Sequence, residues 1–248
     1  MQKFSSFEFV ILIPVFHNQD KIKELKKQLD QHVLKDDYFV CFVDDSNDEQ
    51  TYIEIKKYFK ENFYILKRNK KENFSVRFSA SHSGFEWIIN NLNTKFIVEI
   101  DSDLSHHPKD IYKGLKLLKE QDLDLVIGSK YLEGSIVKNR KLLRIFISKL
   151  ISTLCRLIFY KNITDYSNTY RFYTFSLVKE FIYEKVLFKS PIGHLNNLLF
   201  ILKKKYSVSE IPVEYIETNP ESTVKVLSMF RYLIELIYCI VYNKFLRK

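Results

Sequence analysis

Short apolar runs rich in Val, Ile and Phe recur along the chain: FVILIPVF (9–16), YFVCFVDD (38–45), FYILKR (63–68), FIVEID (96–101) and LDLVIGS (123–129). Runs of this length and content, bounded by polar residues, predict strands buried on both faces. The segments between them carry apolar residues at helical spacing, as at Ile22, Leu25 and Leu29 or at Ile111, Leu115 and Leu118, with charge on the other side. Strand and helix alternating in this way predict an α/β domain with a mostly parallel sheet flanked by helices. Ligands bind such sheets beyond the carboxyl ends of the strands. Those ends carry His17 and Asn18, Asp44 and Asp45, Arg68, and Asp101 and Asp103, so polar and mostly acidic groups gather at one edge.

Beyond residue 130 the pattern changes. Residues 138–161 hold basic and apolar residues and no acid. On a helix, Arg140, Arg144 and Ser148 would share one face, with Leu143, Ile147, Leu150, Leu154 and Leu157 on another. Residues 224–248 repeat the character, interrupted by Arg231 and Glu235 and ending in a basic tail. Both stretches predict amphipathic helices lying in a membrane interface, or helices that pack on the core or on a second subunit. The expected organisation is a domain over residues 1–223, with an interfacial helix at about 140–160, and a membrane- or partner-associated helix over 224–248. No uninterrupted apolar run of about 18 residues is present, which argues against a spanning helix. The N-terminal MQKFSSFEFVILIPVF has a short apolar core and no small-residue cleavage pattern, so it reads as a first buried strand rather than a signal peptide.

Composition narrows this further. With 46% hydrophobic and 28% charged residues but only 5 Gly and 5 Pro in 248 residues, the chain has an ordered globular profile. Lys and Arg outnumber Asp and Glu by 39 to 30, so the field favours anionic partners: nucleic acid, phosphorylated small molecules or an acidic membrane surface. Cys41, Cys155 and Cys239 are odd in number and far apart, which suggests neither a disulfide framework nor a zinc site and fits a reducing compartment.

The segment FIVEIDSDLSHHPKD (96–110) concentrates the candidate chemistry. Gly84, Gly114, Gly128, Gly134 and Gly193 form neither a P-loop nor a GxGxxG turn, so backbone amides alone do not cradle a phosphate here. A divalent cation held by carboxylates and completed by phosphate oxygens is the remaining common solution. In an extended segment Asp101 and Asp103 point the same way and could approach one such cation. Helix capping by Ser105 or Asp103 is the alternative; it accounts for Ser105 and Pro108 but not for Asp101. Adjacent histidines do not share a face, so His106 and His107 do not make a zinc site. Glu99 has no account in the sequence: it places a carboxylate in a strand expected to be buried on both faces.

DSDLSHHP resembles the Asp-x-Asp motif of family 2 glycosyltransferases, most closely that of the dolichol- and polyprenyl-phosphate mannosyl- and glucosyltransferases. In register with it, VILIPVFHN is similar to that family's first strand and turn, FVDDSNDEQT to its nucleotide-binding turn, LVIGSKYLEGS to its Val-Ile-Gly-Ser-Arg-Tyr segment, and DYSNTYRFYTFSLV to its Gly-Phe-Arg segment. The likeness runs from about residue 9 to about residue 225. It implies a GT-A type nucleotide-diphospho-sugar transferase fold. It also implies that Pro14, Phe16 and Asn18 shape the nucleotide pocket and that Asp44 and Asp45 contact base and ribose. Asp101, Asp103 and the adjoining Ser105 would bind Mg or Mn with the diphosphate, while Lys130, Arg144 and Ser148, with Arg171, Ser222 and Lys225, would hold an acceptor phosphate. Departures from the pattern are Asn18 for Glu, Ser46-Asn47 for Gly-Ser, Glu49 for Asp, Lys130 for Arg and Thr169-Tyr170 for Gly-Phe. All but Lys130, which belongs with the acceptor phosphate, bear on the base and the sugar rather than on the metal.

The resemblance therefore implies an inverting, metal-dependent transferase that takes a sugar from GDP-mannose or a UDP-hexose to a polyprenyl or dolichyl phosphate. It would work peripherally at the cytoplasmic face of a membrane, with room for a membrane-anchored partner subunit or a homo-oligomer. Transfer to a saccharide hydroxyl is the competing expectation and would need a base, for which Asp165, Glu184, His106 and His107 are the candidates. A non-catalytic binding module is the third. Nucleic acid is not an expected partner, because most of the 16 Tyr and 21 Phe lie in apolar runs rather than on an open sheet face.

Overall fold

A computed structural model describes residues 6–34, 37–68, 77–159, 162–218 and 226–247. The first half alternates strand and helix: β1 (Phe7–Val15), α1 (Ile22–His32), β2 (Tyr38–Asp44), α2 (Gln50–Tyr58), β3 (Phe63–Lys67), α3 (Arg77–Asn91) and β4 (Thr94–Glu99). A 3-10 turn (Pro108–Asp110) leads into α4 (Ile111–Glu120), β5 (Leu125–Ser129), β6 (Ile136–Lys138) and α5 (Leu142–Phe159). There follow β7 (Arg171–Thr174), α6 (Phe175–Ile182), α7 (Ile192–Lys203), β8 (Val208–Pro212), β9 (Glu214–Ile216), α8 (Val226–Val241) and a π turn (Tyr242–Leu246).

Seven strands form one sheet in the order β3-β2-β1-β4-β7-β5-β8. Every neighbouring pair is parallel except those made by β7, which runs antiparallel between β4 and β5. β6 and β9 form a separate two-stranded ribbon. All five apolar runs are strands in the main sheet. Period-two alternation sorts their side chains onto two apolar layers. On one face Ile11, Ile13 and Val40 pack with Ile22, Leu25 and Leu29 of α1 and with Ile111, Leu115 and Leu118 of α4. On the other, Val10, Leu12 and Cys41 pack with Ala80, Phe85 and Ile88 of α3 and with residues of α6 and α7. Gly84 lets α3 lie close: a Cβ there would stand 2.3 Å from Leu12 Cδ1 and 2.7 Å from Val43 Cγ2.

Two local expectations are corrected. The cap before α4 is neither Ser105 nor Asp103: His107 caps the 3-10 turn, its ring accepting from the Lys109 N–H at 3.2 Å. Arg140 precedes α5 rather than standing on it, although its guanidinium reaches Ser148.

α5 inverts the usual arrangement of an amphipathic helix. It buries Ser148, Ser152 and Cys155 and leaves Leu142, Leu143, Phe146, Leu150, Leu154 and Leu157 exposed. Its C-terminal end meets the last turn of the chain, where Lys244 Nζ donates to the Ile158 carbonyl at 2.7 Å. Leu236 and Cys239 of α8 join the core, while Leu233, Ile234, Ile237 and Tyr238 are exposed. The expected boundary at residue 223 lies outside the described residues, and beyond it α8 packs on α7, with Asn243 Nδ2 donating to Asn196 Oδ1 at 2.9 Å. Among the described residues no helix is long and apolar enough to cross a membrane.

Candidate active site

The carboxyl ends of β1, β2 and β4 deliver their polar residues to one edge. Pro14 is buried in β1 beside Val43, and Phe16 and Asn18 follow it half-buried. His17 adopts a left-handed φ of 52°, which turns its N–H onto Ser46 Oγ at 3.0 Å and its ring towards Asp48. Asp44 is fully buried: one oxygen accepts from the Ser46 N–H at 2.9 Å, and the other, 3.8 Å from Lys67 Nζ, accepts no hydrogen bond. A buried carboxylate oxygen without a donor is costly, and a ligand N–H or O–H would relieve it. Asp45 differs, because Arg68 grips both of its oxygens, at 2.7 Å from Nε and 3.2 Å from Nη2, and continues to Ser83 Oγ at 3.1 Å.

At the end of β4 a cation from α3 meets the acidic segment. Arg77 Nε donates to Asp101 Oδ1, and Arg77 Nη1 lies 3.0 Å from Glu99 Oε1. Glu99 also accepts from Ser81 Oγ at 2.6 Å and from the Tyr173 hydroxyl at 3.2 Å. The carboxylate that the sequence left without an account thus has Arg77 as its counterion. Burial alone would raise the carboxyl of Asp101, but the Arg77 guanidinium beside it, with Lys130 adding, holds it below its ordinary value. His106 takes the Asp101 backbone N–H on Nδ1 at 3.1 Å, so its proton is assigned to Nε2, facing Asn168 Oδ1 at 2.9 Å. Burial lowers its pKa and keeps it neutral. The chain then turns through Leu104 at φ 70°, and Asp103 Oδ1 accepts the Ser105 N–H at 2.9 Å.

Among the described residues no cluster of three or more His, Cys, Asp or Glu could enclose a metal. The donor set nevertheless fits a hard divalent cation that draws part of its coordination from a ligand. Asp101 and Asp103 offer carboxylates, and Ser105 Oγ lies 3.5 Å from Asp101 Oδ2, the oxygen that Arg77 does not take. Phosphate oxygens and water would complete the shell.

A second cluster, cationic and aromatic, adjoins this edge. Lys130 is buried with its Nζ 2.9 Å from Asp165 Oδ2. Burial lowers its pKa against the pull of Asp165. Arg140 donates to Ser148 Oγ at 2.8 Å and to the Tyr131 hydroxyl at 3.1 Å, while Arg144 Nη1 lies 2.9 Å from Glu217 Oε1. Tyr215 gathers the group: its ring centroid lies 5.3 Å from Lys130 Nζ, 5.5 Å from the Arg140 guanidinium carbon and 5.7 Å from the His106 ring. Lys130, Arg144 and Ser148 therefore come together beside Asp101 and Asp103. Arg171 does not join them. It is fully buried in β7, donating from Nε to the Asn168 carbonyl at 2.9 Å and from Nη1 to that of His194 at 3.0 Å. Ser222 and Lys225 lie outside the described residues.

Sequence reasoning missed Arg77 and Glu217 as members of the site and named Arg68 only as a strand-end residue. Each is a lone charge at an element boundary, with no spacing to mark it; the unexplained Glu99 was the only hint that a cation such as Arg77 had to be near.

The model of the family described as Glycosyl transferase family 2 matches residues 10–182. The dolichol-phosphate mannosyltransferase of Pyrococcus furiosus is 29% identical over 226 residues, 90% of this chain; the chain spans 61% of that relative's length. The polyprenol monophosphomannose synthase of Mycolicibacterium smegmatis is 23% identical over 211 residues, covering 84% of this chain and 77% of that protein. Among solved structures, glucosyl-3-phosphoglycerate synthase from Mycobacterium tuberculosis, in complex with Mn2+, uridine-diphosphate and glucosyl-3-phosphoglycerate, superposes with a TM-score of 0.69 at 10% identity, over 96% of this chain and 80% of its own. At that identity the likeness carries the fold, a GT-A sheet with its flanking helices. With the family model spanning the five strands, the acidic edge and β7, the chain belongs to glycosyl transferase family 2.

Proposed function

We propose that this chain is an inverting, metal-dependent glycosyltransferase that moves one sugar from a nucleotide-sugar donor, GDP-mannose or a UDP-hexose, to a polyprenyl phosphate at a membrane surface. One observation carries the acceptor: Arg140, Arg144, Ser148 and Lys130 meet beside the acidic edge, at the start of a helix whose leucines face outward. Guanidinium groups recognise phosphate, and an exposed apolar helix face suits the acyl boundary into which a polyprenyl chain extends.

The state of the candidate bases supports the same acceptor. Asp165 is committed to Lys130 and to the N–H groups of Ser167 and Asn168. Glu184 pairs with Arg247, both nitrogens of His106 are engaged, and His107 accepts from the Lys109 N–H. A saccharide hydroxyl would need one of these to take its proton. A phosphate monoester, whose second pKa is about 6, already carries its nucleophilic charge at neutral pH.

The residues then have separable tasks. Asp101 and Asp103 would hold the cation, which when bound supplies positive charge against the leaving nucleoside diphosphate. Arg77, anchored by Glu99, fixes the Asp101 carboxylate. The open oxygen of Asp44 accepts from the nucleoside, with Pro14 and Phe16 shaping the wall beside it. Arg140 and Arg144 orient the acceptor phosphate for attack from the face of the sugar opposite the diphosphate, which inverts the anomeric carbon.

The test is release of nucleoside diphosphate by purified protein with Mg or Mn, a panel of GDP- and UDP-sugars, and polyprenyl phosphate in detergent. Release that needs the lipid phosphate and disappears with EDTA and with Asp103→Ala is the expected result. Release that ignores the lipid phosphate and follows an added saccharide would overturn the acceptor assignment.

A further inference from the structure

Glu217 stands just past β9, where its backbone N–H donates to the Lys138 carbonyl at 3.0 Å and ties it to the β6–β9 ribbon. Its side chain is 10% exposed and lies between two cations. Oε1 is 2.9 Å from Arg144 Nη1, and Oε2 is 4.0 Å from Arg140 Nε, a buried nitrogen that makes no hydrogen bond. Among the described residues no other carboxylate pairs with either arginine. A planar anion facing two guanidinium groups occupies the positions that phosphate oxygens would take.

We propose that Glu217 is an internal stand-in for the acceptor phosphate, which must displace it to bind and which it helps to expel after transfer. The acceptor's identity rests on the function proposed above; the displacement rests on the two arginines. A phosphate monoester near neutral pH carries a charge of about −1.5 to −2, against −1 on the carboxylate, so it wins the arginines. During transfer an acceptor phosphate oxygen forms the bond to the anomeric carbon as the bond to the nucleoside diphosphate breaks, and the electron pair leaves with the diphosphate. The lipid phosphate thereby becomes a diester of charge −1. It has lost its advantage over the tethered carboxylate, which returns to the arginines as the product leaves. Glu217 thus weakens the hold of the site on either phosphate by the same factor, enough to release the diester but not to exclude the monoester, and acts as a positioning residue through Arg140 and Arg144.

The experiment is calorimetric titration of the protein, without donor, with citronellyl phosphate and with its methyl diester, followed by steady-state kinetics. Glu217→Gln should tighten monoester binding by roughly five- to tenfold, the value of releasing one partly buried ion pair. It should tighten diester binding by the same factor, since either ligand must displace the same carboxylate, so the monoester-to-diester ratio of affinities stays as it is. KM for the lipid phosphate should drop without a rise in kcat. In the Arg144→Gln background the same change should leave monoester binding unaltered. Unchanged or weaker monoester binding by Glu217→Gln would overturn the proposal. If that variant does not fold, the wild-type protein decides: a clear preference for monoester over diester is expected, and equal affinities would overturn the stand-in. Displacement without sugar transfer would sink the proposed reaction alone, whereas transfer with binding indifferent to Glu217 would sink this inference alone.

Discussion

Glu99 is fully buried at the end of β4 and gathers Ser81 Oγ at 2.6 Å, Arg77 Nη1 at 3.0 Å and the Tyr173 hydroxyl at 3.2 Å. Removing it as Glu99→Ala leaves Arg77 Nη1 without its anion beside an Nη2 that already lacks a partner. Breaking one side of such a buried pair costs about 3–5 kcal/mol. Glu99→Gln keeps the volume and the Ser81 bond but loses the charge, and the loss of one charge-assisted hydrogen bond costs about 1.5–3 kcal/mol. For a chain of this size each kcal/mol lowers Tm by about 2–4 °C, so the alanine variant should melt about 6–20 °C below wild type. Urea unfolding followed by far-UV circular dichroism measures both, with the slope checked for constancy. The double variant Arg77→Leu/Glu99→Gln removes both charges and should be more stable than Glu99→Ala alone. A Glu99→Gln protein within about 0.5 kcal/mol of wild type, which is the range of ordinary surface substitutions, would refute the idea that Glu99 is the anchor of Arg77.

Three further outcomes are expected. Gly193→Ala should lower the urea midpoint by the equivalent of about 1–3 kcal/mol, because the new Cβ would stand 2.3 Å from Phe78 Cδ1 in a packed core; an unchanged midpoint would mean that the ring moves freely. Lys109 and Lys138, both hydrogen-bonded to Glu214, hold its carboxyl at about 2, below an ordinary 4.5, so the folded state binds fewer protons there than the unfolded one. The stability this supplies is full above pH 4.5 and fades as pH falls towards 2; Glu214→Gln should flatten the acid limb of the stability curve, and an unaltered limb would count against it. Leu143→Asp with Phe146→Asp, both 65% exposed, should reduce sedimentation with anionic phospholipid vesicles while hardly moving the urea midpoint; sedimentation equal to wild type would remove α5 from the membrane contact.

The first five strands were legible because each is an apolar run long enough to cross a core, and the helices between them show their buried stripe directly. β7 and β8 were not. RFYT is four residues whose likeness to a catalytic segment hides that it is also a strand, and VSEIP is polar enough to read as a loop. Of the site, the Asp101 and Asp103 pair and the Lys130, Arg144 and Ser148 group were legible through their motifs. Arg171 shows the limit of such transfer, since a motif arginine can serve the fold by holding carbonyls. Glu217 lies beyond sequence reading for another reason: an acid becomes a mimic of phosphate only when two arginines from another part of the chain are brought to it.

The antiparallel β7 has a consequence for how the molecule is made. β4 and β5 are successive parallel strands, yet they never touch, because β7 lies between them. A ribosome that has released β1 to β5 has released a four-stranded sheet, β3-β2-β1-β4, and a lone β5 with nothing to join them. The inner edge of β4 keeps its unpaired N–H and C=O groups until residues 171–174 arrive, after the whole of α5 with its exposed leucines. An open strand edge together with an uncovered apolar helix is the combination that recruits other chains. β7 is therefore the keystone, and the interval before it emerges is when the nascent chain is most in need of a chaperone.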